Sequence, residues 1–274
     1  MENTSHSFNR DRLAVDLRRL GLKHGDSVYV HSSMKRVGWI EGGVTALIDA
    51  FLDVLGADGT LLVPTHTYSF TGLGGQPYDK TTTPTGLGAF PEAVRAYPGA
   101  YRSGHGSHSS AAIGKNAVYF TENHDPTFAM GYDSPLNRLY RAGGKVLLLG
   151  VTHKTNTSIH LAESLAETGY NTLHYDASWG NSVHRLNDRG ETELHIQSEF
   201  PGCSSKFDIL DPHFVQAGIV QKGRIGDADS QLLQMKPMLD ITISLLKKDR
   251  AMFFCENEKC PCCPPRRKHL AETR

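Results

Sequence analysis

The chain has 274 residues, of which 39% are hydrophobic and 21% are charged, and its 29 Lys and Arg residues balance its 29 Asp and Glu residues. A chain of this length forms one large α/β domain or two small ones, and its neutral charge gives no electrostatic basis for nucleic-acid binding. The sequence has no apolar run of about 18 residues and no secretory leader pattern at its start, so we expect a cytoplasmic protein that does not interact with membranes.

The first part of the chain predicts a β-loop-α pattern. Leucines recur at helical spacing between Asn9 and Gly21, and the glycine is a typical helix stop. Residues 27–31 (SVYVH) predict a short strand, and a polar loop leads from it to a helix with an apolar stripe over residues 44–55. The run TLLVP, residues 60–64, is short and continuously apolar, which favours a buried strand.

A second unit of the same kind follows. Residues 145–151 (KVLLLGV) predict another buried strand, and residues 157–168 carry apolar side chains at helical spacing. Between the units, residues 71–90 are rich in Gly, Pro and Thr, which indicates either a mobile active-site loop or a surface excursion without function. The segments ETELHIQ and GIVQKGRIG are typical of antiparallel strands. We therefore predict an α/β fold, a single large domain with a central mixed sheet flanked by helices, plus a smaller β-rich C-terminal portion.

Three polar clusters carry candidate chemistry, while fingerprints of dinucleotide sites, P-loops and nucleophile elbows are absent from the sequence. The first cluster follows the first predicted strand, where exposed N–H groups, hydroxyls and a cation suit a phosphate or pyrophosphate. A simple polar strand-to-helix turn has the same composition, so both interpretations stay open. The candidate residues are His31, Ser32, Ser33, Arg36, Val37 and Gly38.

The second cluster is RSGHGSHSSAAIG, residues 102–114. Arginine and hydroxyl groups donate to phosphate oxygens, so the residues Arg102, Ser103 and Ser109 suit an anionic ligand. A run this rich in Ser and Gly is equally typical of a solvated loop.

The third cluster is NTSIHLAESLAE, residues 156–167. In a helix, Asn156 and His160 are four residues apart and Glu163 follows three residues later, so the three side chains share one face. Histidine titrates near neutral pH, and a neighbouring carboxylate can orient it and stabilise its charged form, as a general base for an amine requires. The alternative is an ordinary surface pair on a helix. Position 164 is Ser164 rather than a second histidine, which argues against a zinc hydrolase.

Eight sequence blocks occur in a fixed order between residues 30 and 228. They are VHSSMKRVGWIEGG (30–43), GTLLVPT (59–65), RSGHGSHSSAAIG (102–114), SPLNRLY (134–140), GGKVLLLGV (143–151), NTSIHLAE (156–163), PGCS (201–204) and GRIGDA (223–228). Together these blocks resemble the aminoglycoside 3-N-acetyltransferase family, which differs in fold from the GNAT acetyltransferases. The resemblance implies an antibiotic-resistance acyltransferase that uses acetyl-CoA as co-substrate and acetylates the 3-N amine of an aminoglycoside.

The resemblance also implies roles for the candidate residues. The loop from His31 to Gly38 and the segment Arg102-Ser103 would contact the CoA pyrophosphate and pantetheine, with Ser109 near the thioester. His160 becomes the general base. Glu163 would orient His160 or contact acceptor ammonium groups, and Asn156 would fix the loop that leads into the helix. The expected acceptor-side residues are Asp133 and Asp176, because a polycationic aminoglycoside favours an acidic cleft, together with His66 and Tyr68, which follow the strand that ends at Pro64.

Two departures from the family's RSxHPxxSFAAxG pattern bear on the acceptor: Gly106 replaces the proline and Ser110 replaces the phenylalanine. Two other functions therefore remain open. The first is N-acetylation of a biosynthetic amino sugar or another amine. The second is a non-catalytic binding module that uses a zinc-binding cysteine tail. We expect no nucleic-acid partner, and the sequence is compatible with a monomer or a dimer.

The cysteines crowd the C-terminal end of the chain, which is not the distribution of a disulfide framework. Cys203 stands alone, while Cys255, Cys260, Cys262 and Cys263 lie close together, with His269 nearby. Four thiolates suit a tetrahedral zinc site, although their spacing also fits a flexible reduced tail. We accordingly predict an acetyltransferase domain over residues 1–254 and a Cys-rich tail over residues 255–274.

Overall fold

The computed structural model describes residues 7–67, 76–173 and 182–273, and its central feature is a mixed β-sheet. The strands are β1 (Ser7–Phe8), β2 (Ser27–Ser32), β3 (Trp39–Ile40), β4 (Thr60–Pro64), β5 (Tyr101–Arg102), β6 (Ser110–Gly114), β7 (Lys145–Leu149), β8 (Ser182–Leu186), β9 (Thr192–Ile196), β10 (Val220–Ile225) and β11 (Ala228–Gln234). The helices are α1 (Arg10–Leu20), α2 (Met34–Val37), α3 (Gly43–Leu55), α4 (Ala89–Arg95), α5 (Ala117–Thr121), α6 (Pro135–Arg141), α7 (Ser158–Leu165), α8 (Asp211–Gln216), α9 (Met235–Lys248) and α10 (Cys263–Glu272). Short 3₁₀ turns occupy His153–Thr155 and Phe207–Leu210.

Within the described residues, seven strands form the main sheet in the order β10-β11-β7-β2-β4-β6-β5. Strand β2 runs parallel to β4 and β7, whereas β6 runs antiparallel to β4, with Pro64 opposite Ser110. The C-terminal ends of β2, β4 and β7 and the start of β6 therefore lie at one edge. The predicted mixed sheet is confirmed. Of the β-rich C-terminal portion, the hairpin β8–β9 stands outside this sheet and β10–β11 extend it.

Apolar cores cover both faces of the sheet. Val28 and Val30 of β2 pack with residues of α1, α3 and α4, while Tyr29 between them packs with residues of α5, α6, α7 and α9 on the opposite face. Because helices bury both faces, β4 after Thr60 and β7 after Lys145 are continuous apolar runs rather than alternating ones.

The first helix begins and ends where its sequence predicts. The Asn9 side chain accepts a hydrogen bond from the backbone N–H of Arg12, which satisfies one of the free donors at the start of α1. Gly21 ends the helix in the left-handed conformation, with φ of 113°, which a residue without a side chain adopts at little cost.

Residues 76–88 contain no helix or strand, as predicted for the irregular segment 71–90, whereas α4 begins at Ala89. Tyr78 is nevertheless buried, and its hydroxyl donates to the carbonyl of Ser103 at 2.7 Å. Residues 71–75 of the predicted loop lie outside the described residues.

The cysteine-rich segment packs against the rest of the fold instead of extending from it. Cys255, Cys262, Cys263 and Leu270 are buried in an apolar cluster with Tyr170. The predicted domain boundary at residue 254 stays a prediction. None of the helices in the described ranges is long and apolar enough to cross a bilayer.

Candidate active site

All three predicted polar clusters meet the same edge of the sheet. His31 ends β2, Thr65 and His66 follow β4, and the segment that leads to His160 follows β7. Because β6 is antiparallel, Ser109 just before it returns to this edge, and its backbone carbonyl accepts a hydrogen bond from Thr65 at 2.9 Å. Ligands of α/β proteins bind outside the carboxyl ends of parallel strands, so this edge is the candidate active site.

His160 and Glu163 form a hydrogen-bonded pair on α7. His160 Nδ1 and Glu163 Oε2 are 2.5 Å apart, and the second carboxylate oxygen accepts the hydroxyl of Tyr170 at 2.8 Å. The side chain of Glu163 is 3% exposed and that of His160 is 9% exposed, so the imidazole is the more accessible partner. With Nδ1 held by the carboxylate, Nε2 is the ring nitrogen left to exchange a proton with a ligand.

The surroundings of Glu163 keep it ionised. Burial would raise the pKa of Glu163, but the charge of His160, its hydrogen bond, the charge of Arg266 and the Tyr170 hydrogen bond together bring the pKa below its usual value. Burial and the Glu163 charge raise the pKa of Tyr170, so its hydroxyl remains a donor. Phe207 packs edge-on against the His160 ring at 4.9 Å between centroids. The pair is therefore fixed on several sides.

Asn156 lies two residues before α7 rather than within it, so the prediction that it shares a helix face with His160 and Glu163 is wrong. Its Oδ1 accepts the backbone N–H of Ser158 at 3.2 Å, and its Nδ2 donates to His153 Nδ1 at 3.2 Å. Asn156 is completely buried. These contacts tie the turn after β7 to the first residue of α7, and a catalytic role for Asn156 stays a prediction.

Four neutral histidines form a cluster, and two of them, His66 and His108, are close enough to His160 for its charge to lower their pKa values. The rings of His66 and His108 lie 4.7 Å apart, and those of His105 and His124 lie 4.9 Å apart. Burial, followed by the charges of His160 and His124, lowers the pKa of His108 to about 3. Burial and the charges of its neighbours, first among them His108, lower the pKa of His66 well below its usual value. The cluster therefore supplies polar imidazoles without positive charge at neutral pH.

Arg102 is buried, and its side chain donates hydrogen bonds to the protein itself. Its Nη2 donates to the carbonyl of Thr65 at 2.7 Å, Nε donates to the hydroxyl of Ser109 at 3.1 Å, and Nη1 donates to the carbonyl of Thr83. Ser103 and Ser109 are completely buried, so the alternative of a solvated loop is wrong for this segment. The predicted contacts of Arg102, Ser103 and Ser109 with CoA remain predictions, and the geometry favours a positioning role for the arginine.

The loop after β2 is nearer the surface. Ser32 and Ser33 are half-buried, Arg36 and Gly38 are exposed, and Val37 is buried. Among the described residues, His31 Nε2 and the Ser32 hydroxyl are buried atoms without a hydrogen-bond partner. Burial and the charge of His153 lower the pKa of His31 to about 3, so this ring is neutral. Hydroxyl, imidazole and guanidinium groups are thus available at this end of β2.

The predicted acceptor-side residues lie in different surroundings. His66 lies in the histidine cluster, whereas Asp133 sits half-exposed and pairs with Arg138 at 3.1 Å. Tyr68 and Asp176 lie outside the described residues. Sequence reasoning missed a buried carboxylate, Glu199, which accepts the backbone N–H of Met130 at 2.5 Å and the Asn171 side chain at 3.1 Å. It also missed Tyr170, Phe207 and Arg266, whose positions depend on contacts distant in sequence.

The cysteine set differs from the one that spacing favours. The sulfur atoms of Cys203, Cys255, Cys260 and Cys263 all lie within 4.8 Å of one another, and Cys262 is outside this group. Cys203, which stands alone in the sequence, is brought in by the loop that follows Phe200. Each of the five is a free thiol.

The fold and this edge define an α/β protein that carries a hydrogen-bonded histidine–carboxylate pair where the parallel strands end. Residues 29–247 match the family model described as Aminoglycoside 3-N-acetyltransferase. Aminoglycoside N(3)-acetyltransferase VII of Streptomyces paromomycinus is 34% identical, over 90% of this chain and 94% of that protein. The chain therefore belongs to the aminoglycoside 3-N-acetyltransferase family, and the predicted class of enzyme, an acyltransferase, is confirmed.

Solved structures agree with this assignment. The crystal structure of a histidine-to-alanine mutant of aminoglycoside acetyltransferase AAC(3)-IVa in complex with a gentamicin matches with a TM-score of 0.84 and 27% identity, over 97% of this chain and 99% of that one. AAC-IIIb in a binary complex with CoASH matches with a TM-score of 0.80 and 29% identity, over 89% of this chain and 97% of that one.

Proposed function

We propose that this chain transfers the acetyl group of acetyl-CoA to the 3-N amine of an aminoglycoside, with His160 as general base. The observation that carries the proposal is the buried His160–Glu163 hydrogen bond of 2.5 Å at the edge where the parallel strands end. The similarity to a CoASH-bound relative and to a gentamicin-bound relative supports the two substrates.

The reaction proceeds by direct transfer. His160 Nε2 takes a proton from the acceptor amine while the amine nitrogen attacks the thioester carbonyl carbon. A C–N bond forms, the C–S bond breaks, and the CoA sulfur leaves as a thiolate that is then protonated. Donors of the Ser-rich loop or N–H groups at the strand ends stabilise the oxyanion that forms on the carbonyl. A covalent acyl-enzyme is not required.

Glu163 acts through His160. Both of its oxygens already accept hydrogen bonds, from His160 and from Tyr170, so an acceptor ammonium group would have to displace one of these donors. The family resemblance implies two possible roles for Glu163. The contacts favour the first, in which Glu163 orients His160 and stabilises the imidazolium, over the second, in which it contacts the acceptor.

The loop after β2 is the proposed phosphate site of acetyl-CoA. Arg36 is exposed and carries a positive charge, and the unpartnered Ser32 hydroxyl can donate to a phosphate oxygen. Arg102, whose nitrogens donate to the chain itself, holds the Thr65 and Ser109 segments together and is proposed as a positioning residue.

A second candidate acceptor, a biosynthetic amino sugar or another amine, is favoured by one observation. A side chain at Gly106 would overlap Val183 of β8, so the absence of a side chain lets the β8–β9 hairpin approach the loop that carries His105 and His108. The hairpin therefore shapes the acceptor side in a way that the family proline at this position would not permit.

The experiment is a thiol-release assay with acetyl-CoA, run on wild type and on His160→Ala with a panel of aminoglycosides and other amines. We expect turnover of the variant to fall by about 10²- to 10⁴-fold, the usual contribution of general acid–base catalysis, with acetyl-CoA binding little changed. The exposed, remote His24→Ala is the matched control. Near-normal turnover of His160→Ala would refute the base assignment. Release with only non-antibiotic amines would favour the biosynthetic acceptor, and release with no amine would contradict the proposed reaction.

A further inference from the structure

Four cysteine sulfurs converge outside the acetyl-transfer site. Cys203 comes from the loop that precedes α8, Cys255 and Cys260 come from the segment between α9 and α10, and Cys263 is the first residue of α10. The four sulfurs lie within 4.8 Å of one another although Cys203 is separated from the others by more than fifty residues of sequence.

The spacing of the sulfurs fits one tetrahedral ion. A zinc ion with Zn–S bonds of about 2.3 Å places its sulfur ligands about 3.8 Å apart. The observed upper limit of 4.8 Å is therefore within about an ångström of this arrangement. A disulfide would engage two of the four sulfurs at about 2.05 Å and leave the other two unexplained.

The surroundings suit a negatively charged thiolate group. The backbone N–H of Cys255 donates to the Cys263 sulfur at 3.3 Å, and the Ser205 hydroxyl lies 3.1 Å from the Cys203 sulfur. Such contacts to ligand atoms orient them and stabilise their charge. Arg267 donates to the carbonyl of Cys255 at 2.7 Å, which joins α10 to the segment that carries the cluster.

We propose that Cys203, Cys255, Cys260 and Cys263 bind one structural zinc ion, and that Cys262 is not a ligand. Thiolates are soft donors that select zinc over magnesium and calcium. Four protein ligands fill the coordination sphere and leave no position for a substrate, which is the mark of a structural rather than a catalytic zinc site.

The proposed zinc site is connected to Glu163 through the ring of Tyr170. Phe254, next to Cys255, packs on the ring of Tyr170 at 4.9 Å, and the Arg266 guanidinium lies 5.1 Å from the same ring. Tyr170 in turn donates to Glu163. A metal that joins the loop of Cys203 to the start of α10 would therefore fix the positions of Phe254 and Arg266. These two side chains pack on Tyr170, which donates to Glu163.

Close packing strengthens this connection. Arg266 donates to the carbonyl of Phe200, and a Cβ on Gly202 would come within 2.8 Å of the Arg266 Cζ atom. The guanidinium thus lies close to the backbone just before Cys203. Loss of the metal would separate these two segments and loosen the support of Tyr170. This consequence for catalysis rests on the proposed function, whereas the metal site itself does not.

The test compares the full chain with Cys203→Ser and with Cys262→Ser, the matched control at a neighbouring thiol. Elemental analysis of protein purified under reducing conditions is expected to give about one zinc per chain for wild type and Cys262→Ser, and at least about fivefold less for Cys203→Ser. Cobalt(II) added to chelator-treated wild type and Cys262→Ser is expected to give thiolate charge-transfer bands and the strong visible bands of a tetrahedral ion. Thiol release by Cys203→Ser is expected to show a lower kcat with a nearly unchanged KM for acetyl-CoA.

Three results would overturn the proposal: wild type that takes up neither zinc nor cobalt, Cys262→Ser that loses as much metal as Cys203→Ser, or an intact mass that reveals a disulfide within the group. If Cys203→Ser does not fold, the cobalt spectra of wild type and Cys262→Ser decide the question. Because metal binding is measured without substrates, a chain that binds zinc but does not acetylate any amine would contradict the proposed function alone.

Discussion

Replacing Glu163 with glutamine tests the catalytic pair most directly, because the side chain keeps its size and loses its charge. Glu163 accepts two hydrogen bonds, one from His160 and one from Tyr170. A glutamine has one accepting oxygen and a donating NH₂ group in the same positions. If the amide oxygen faces Tyr170, the NH₂ group faces Nδ1, and the histidine must carry its proton on Nε2, where it can no longer act as a base.

The size of the effect follows from the charge pair. An imidazolium and a carboxylate with centres about 4 Å apart attract each other by about 4 kcal/mol at the effective dielectric constant of a partly buried site. This energy is available only while His160 carries the proton it has taken from the amine, so it lowers the barrier and not the binding of substrate. About 4 kcal/mol corresponds to about a thousandfold in rate.

We therefore expect Glu163→Gln to lower kcat by about a thousandfold in the thiol-release assay, with little change in the KM for acetyl-CoA. Tyr170→Phe is the matched comparison, because it removes one hydrogen bond from the same carboxylate and leaves the charge. It should lower kcat by about tenfold, in keeping with the value of a single hydrogen bond. A Glu163→Gln enzyme within about fivefold of wild type would refute the assignment of Glu163 as the partner of the base.

Two further predictions concern stability. The pKa values of His31 and His108 are lowered to about 3 and that of His124 to about 4, mainly by burial, so below pH 6.5 the unfolded chain binds at least three protons that the folded chain does not. Stability should consequently fall with decreasing pH between about 6 and 4, and these three histidines alone contribute a slope that approaches about 4 kcal/mol per pH unit. Denaturant melts at a series of pH values measure this slope. His124→Gln should make the slope smaller, whereas the exposed His24→Gln should leave it unchanged. A wild-type stability that does not vary over this pH range would contradict the neutral state of the buried histidines. Arg102→Ala, which leaves buried carbonyl groups without donors, should lower the free energy of unfolding by about 3 kcal/mol in urea melts. Unchanged stability with lost acetyl-CoA binding would instead favour direct contact with the cofactor.

Local patterns explain why much of the fold could be predicted. The spacing of leucines between Asn9 and Gly21 and the continuous apolar runs of β4 and β7 are encoded within a dozen residues, and the structure reproduces them. The pair of His160 and Glu163 could be predicted for the same reason, because side chains three residues apart in one helix lie on the same face.

Contacts between distant segments could not be predicted in this way. The Ser-rich loop has the composition of a solvated turn, yet it is buried because Arg102 satisfies its carbonyl and hydroxyl groups. The histidine cluster joins His66, His105 and His124 from separate segments. Cys203 joins the other cysteines only because the loop after Phe200 folds against the start of α10. The spacing of residues in the sequence does not indicate such contacts between distant segments.

The position of Arg266 near the end of the chain has a consequence for how the enzyme matures. A ribosome that has reached Phe254 has already synthesised His160, Glu163 and every strand of the main sheet. Arg266, whose guanidinium lies 5.1 Å from the ring of Tyr170, has not yet been synthesised at that stage. The strands of the sheet and the arginine that packs on Tyr170 are thus made at different times, and only the arginine waits for the cysteine-rich segment.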